Sequence, residues 1–76
     1  MTPELVPVTS SNIRAIGFDE GGPTLYVQFI GKNKPDSTYA YADFPHDQWV
    51  EFLRSPSKRS WFAGHVKGRY QTTKVS

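Results

Sequence analysis

The chain has 76 residues, no cysteine, 14% aromatic residues and a net charge of +2. That length holds one domain burying roughly 60% of its unfolded surface, and the absence of cysteine excludes disulfide staples and thiolate metal ligands. The charge is unevenly carried: residues 1–53 hold all seven acids and three bases, a balance of −4, whereas residues 54–76 hold six bases and no acid, a balance of +6. The protein as a whole is therefore no polycation, and electrostatic binding has to come from its C-terminal part. The opening residues lack the basic and apolar regions of a secretory leader. No apolar run approaches the ~18 residues of a membrane span. The expectation is a cytoplasmic monomer with no membrane contact.

Residues 1–9, with Pro3 and Pro7 and no period, read as a mobile N-terminal tail. A single domain over residues 10–70 follows. Residues 13–18 (Ile-Arg-Ala-Ile-Gly-Phe) read as a first strand, closed by the turn formers Asp19-Glu20-Gly21-Gly22-Pro23. Thr24 to Ile30 is the clearest strand, because Leu25, Val27 and Phe29 alternate onto one face. The polar stretch Gly31 to Ser37 is a loop. Thr38 to Ala42 forms a third strand that puts Tyr39 and Tyr41 on one face. Connections this short permit only an antiparallel meander.

The period then changes. Pro45 suits the first turn of a helix, and Trp49, Val50, Phe52 and Leu53 make an apolar stripe. Asp47 and Arg54 sit at the helix ends that favour their charges. Ser55 and Pro56 read as the N-cap and first position of a second helix, running to about Ala63 or Val66. Its spacing turns Trp61, Phe62 and Val66 inward. Residues 71–76 read as a polar C-terminal tail. The predicted fold is α+β, a three-stranded antiparallel β-meander followed by two short helices packed on one face.

No catalytic or metal constellation is legible. His46 and His65 lie in different elements, no His or Cys pair has ligand spacing, and no serine sits in a nucleophile motif. Asp43 and Asp47 read as capping and dipole charges. Gly21-Gly22 leads into a strand and not into a phosphate-binding helix. The expectation is no enzyme, no cofactor and no metal. Tyr39 and Tyr41 are either core residues or a paired stacking platform, and a chain this small favours the core. Tyr26, on the opposite face, is the better candidate for an exposed ring.

The ordered set Ser10-Ser11-Asn12-Ile13, Ile16-Gly17-Phe18-Asp19, Leu25-x-Val27-x-Phe29, Tyr39-x-Tyr41, Phe44-Pro45 and Ser57-x-x-x-Trp61-Phe62-x-x-x-Val66-x-x-x-Tyr70 resembles the KTSC domain. This small domain is found at the C-terminus of some lysyl-tRNA synthetases and as free-standing bacterial or phage proteins. The resemblance spans residues 8–70. It implies no enzyme activity, suggests RNA binding through the synthetase context, and suggests the cytoplasm of a bacterium or an infected host. The loop Gly31–Ser37 is longer and more charged than the family pattern, and Pro56 and Ser60 depart from it.

Two binding readings follow. In the first, Arg54, Lys58, Arg59, Lys67, Arg69 and Lys74 pair with phosphates of RNA or another nucleic acid, and Trp61 or Tyr70 stacks on a base. In the second, the chain is a phage-type regulator of bacterial RNA polymerase. There the basic face meets an acidic surface, and Leu5, Val6 and Val8 of a free segment Thr2–Val8 add a strand or anchor to the partner.

Overall fold

A computed structural model describes residues 3–75. The order of elements is β1 (Val6–Pro7), β2 (Ile13–Asp19), β3 (Thr24–Phe29), β4 (Ser37–Tyr41), α1 (His46–Arg54), α2 (Lys58–His65) and β5 (Thr72–Lys74). All five strands form one antiparallel sheet in the order β1-β2-β3-β4-β5. The α+β class and the central meander match the expectation from sequence. The strand number does not, because both segments read as tails contribute edge strands.

At the N-terminal edge, Val6 pairs with Ile16 and Pro7 with Ala15. Val8 donates its N–H to the Arg14 carbonyl at 3.1 Å and packs on the core. Gly17 explains why this segment docks. A Cβ there would lie 2.7 Å from Leu5 Cδ2 and 3.1 Å from the Glu4 carbonyl, so the missing side chain is what lets the N-terminal segment close on the sheet. Leu5, Val6 and Val8 are thus parts of the fold, not a free anchor; Thr2 lies outside the described residues. At the other edge, Thr72 pairs with Tyr41 and Lys74 with Tyr39. The Val75 N–H extends this ladder to the Thr38 carbonyl at 2.8 Å. Ser76 lies outside the described residues.

The strand β2 does not alternate strictly. Ile13 pairs with Phe29 but Ala15 pairs with Gln28, so Arg14 is an inserted residue in a β-bulge. The insertion resets the side-chain period and puts both Ile13 and Ile16, each fully buried, on the helix-facing side. There they join Leu25, Val27, Tyr41, Phe44, Phe52, Phe62 and Val66 in one core.

The helix α1 starts one residue after Pro45, whose extended backbone makes it the N-cap. Phe52 faces the core, whereas Leu53, read as part of the apolar stripe, is 42% exposed. Asp43 is no cap: it takes a left-handed backbone (φ 55°) in the turn between β4 and α1. The second helix begins later than its sequence suggested. Ser55 closes α1, its hydroxyl donating to the Phe52 carbonyl at 2.8 Å. Pro56 holds Ser55 extended, and Ser57 becomes the N-cap, accepting from the Ser60 N–H at 3.3 Å. Among the described residues no helix is long and apolar enough to cross a membrane.

Candidate functional site

The loop between β3 and β4 is anchored at both ends of its turn. Asp36 accepts from the Gly31 N–H at 2.9 Å and from the Arg14 guanidinium. These two donors, the backbone N–H first, hold its carboxyl below the usual carboxylate range. A side chain at Gly31 would run into the carbonyls of Lys34 and Pro35, so the loop folds tightly on itself. Asn33 supports the turn with a left-handed backbone (φ 60°). The result is a pinned arch that carries Lys32 and Lys34, both exposed.

Beside this arch runs a groove made of two adjoining cavities. One, of about 490 Å³, lies between β4 and α2, and is lined by Phe29, Tyr39, Tyr41, Phe62 and Thr72 with Arg59 and Lys67 among its walls. The other, of about 610 Å³, is polar and lies under the arch, lined by Ser11, Ile30, Lys32 and Lys34. Asn12 and Arg59 line both. The aromatic rings meet edge to face: Phe29 with Tyr39 at 5.8 Å, Phe29 with Phe62 at 5.3 Å and Tyr41 with Phe62 at 5.5 Å. Tyr41 is core and Tyr39 is half-buried, so the tyrosine pair is both packed and groove-lining. Burial, with the neighbouring Tyr39 second, pushes the Tyr41 phenol up to about 12. Tyr26, on the opposite face, is half-buried.

The expected cations divide. Arg59 and Lys67 reach the aromatic cavity, and Lys74 flanks it from β5, directly opposite Tyr39. Lys58 turns back, its Nζ donating to the carbonyls of Leu53 at 3.2 Å and Ser55 at 2.7 Å, where it closes the end of α1. Arg54 and Arg69 are exposed and line neither cavity. Trp61 is not a free ring: it stacks on Phe52 at 4.8 Å and on His65 at 4.4 Å. Tyr70 packs edge-on against Phe44 at 5.0 Å. Both aromatics the sequence offered for stacking therefore serve the core. Phe29, Asn12, Thr72 and the lysines of the arch are site residues that the sequence reading does not single out. For Lys32 and Lys34 the signal is the charged departure at Gly31–Ser37.

The ion pairs among the described residues are Arg14 with Asp36, and His46 with Glu20 at 3.3 Å. None of Lys32, Lys34, Arg59 and Lys67 takes part in them. No group of three or more metal-ligating His, Asp or Glu side chains gathers among the described residues.

The family model for the KTSC domain matches residues 9–70. The chain belongs to the KTSC domain family. The crystal structure of a KTSC domain protein from Yersinia pestis is similar to it throughout, with a TM-score of 0.88 and 32% identity over 96% of this chain and 97% of the other. No curated protein matches the chain. In this KTSC domain Tyr39 and Tyr41 both line the aromatic cavity.

Proposed function

We propose that this KTSC domain is a non-catalytic module that binds RNA or a related nucleic acid along the groove. One observation carries the reading: four cations outside the ion pairs of the described residues line the groove with its aromatic rings, Lys32 and Lys34 from a loop, Arg59 from α2 and Lys67 from the turn after it. Unpaired cations along a groove neutralise phosphates and release counterions. Aromatic faces beside them suit the stacking of bases. The docking of Leu5, Val6 and Val8 on the sheet removes the separate anchor that a polymerase-binding regulator would use.

The test is an NMR titration of the labelled chain with a short single-stranded RNA and, in parallel, with bacterial RNA polymerase. The reading predicts shifts at Asn12, Lys32, Lys34, Arg59 and Lys67 with RNA. Affinity should fall with salt by about 0.7 log units per log unit for each phosphate neutralised. Silence with RNA and broadening with polymerase would overturn it.

A further inference from the structure

A duplex hides its base faces in the stack and shows phosphates and groove edges. A single strand shows its base faces, and stacking one on an aromatic ring is worth about 5- to 150-fold in affinity. The groove has a part suited to each component of a strand. Its polar half, under Lys32 and Lys34, offers charge and no aromatic ring. Its other half is aromatic, and its volume of about 490 Å³ lies in the range of pockets that enclose a small molecule.

Tyr41 is the decisive residue. It is 5% exposed and lines the aromatic cavity. No other described residue hydrogen-bonds to its hydroxyl, yet that atom is not sealed from solvent. A tyrosine hydroxyl with no protein partner and open to solvent, on a residue that lines the cavity, can donate to and accept from a ligand in place of water. Resting on the nucleic-acid reading above, we infer that the aromatic cavity takes one unstacked base of a single strand. Tyr39 and Phe29 are its platform and the Tyr41 hydroxyl bonds its polar edge. Lys32 and Lys34 hold the adjacent phosphates.

The test compares the full chain and its variants for affinity toward a mixed-sequence RNA hexamer and an RNA duplex, at several salt concentrations. The strand binds about tenfold or more tightly than the duplex. Tyr39→Ala loses about tenfold for the strand with an unchanged salt slope. Lys32→Ala with Lys34→Ala lowers that slope by about 1 to 2. Tyr41→Phe keeps the ring and the packing, so it folds, and it loses about three- to tenfold. Equal affinity for strand and duplex, or Tyr39→Ala and Tyr41→Phe binding like the wild type while the lysine variant weakens, overturns base capture and leaves the nucleic-acid reading standing. Absence of all RNA binding by the wild type overturns both.

Discussion

Tyr41 couples the core to the groove, and its ionisation exposes that coupling. Its phenol is pushed from 10.0 to about 12, chiefly by burial. The unfolded chain ionises at the lower value, so stability from this residue is complete below pH 10.0 and is lost as pH rises toward about 12. Thermal unfolding across that window should show a steep fall for the wild type and a shallower one for Tyr41→Phe; parallel curves would contradict the burial argument. Gly31 carries a sharper penalty. A methyl group there meets backbone, which cannot rotate away as a side-chain tip can. Gly31→Ala should cost about 2 kcal/mol or more by chemical denaturation, at the strained end of single substitutions. Such residues were legible in the sequence only as types. A glycine in a turn-rich stretch and a tyrosine in an alternating strand are visible; that one touches carbonyls and the other faces a cavity depends on the fold.

The elements differ in how openly the sequence declared them. Leu25, Val27 and Phe29 announced β3 because an inward side chain recurs at every second position. The two edge strands announced nothing. Val6–Pro7 and Thr72–Lys74 are two and three residues long and exposed throughout, so they have no apolar period, and only pairing with a neighbour makes them strands. The same blindness hid the site, whose cations come from a loop, from a helix far from it in the chain and from the turn after that helix. The N-terminal edge is where this matters for stability. Removing residues 1–8 uncovers the edge of β2 and strips Leu5 from Gly17 and Val8 from the core. Partial burial of two aliphatic side chains suggests a loss of about 1–3 kcal/mol. In so small a domain that lowers the unfolding midpoint by about 4–8 °C per kcal/mol. A truncated chain as stable as the full one would return this segment to the status of a tail.

For the molecule as a whole, acidic and basic groups are separated in space, along a line different from the one that divides them in the sequence. Glu20 contacts His46, and the Phe44 N–H donates to the Pro23 carbonyl, so the acidic β2–β3 turn sits beside the acidic start of α1. Lys32 and Lys34 lie at the other end of β3, with Arg59 next to them. The longest dimension is 33 Å, against a Debye length of about 8 Å at physiological salt and about 30 Å at 0.01 M. At physiological salt the acidic end is therefore screened from a ligand in the groove. Near 0.01 M it is not. Glu20→Gln with Asp47→Asn should leave RNA affinity unchanged in the first condition and raise it in the second. A gain equal in both would mean that the acids act locally.

The bulge at Arg14 has one more effect. A strand of strict period could not present both Ile13 and Ile16 to the helices, and the residue inserted to achieve this is the one whose guanidinium grips Asp36 and the lysine arch. Deleting Arg14 would restore an uninterrupted ladder, evict an isoleucine from the core and unfasten the arch in a single step. One irregular position thus sets the phase of the sheet and fastens its loop.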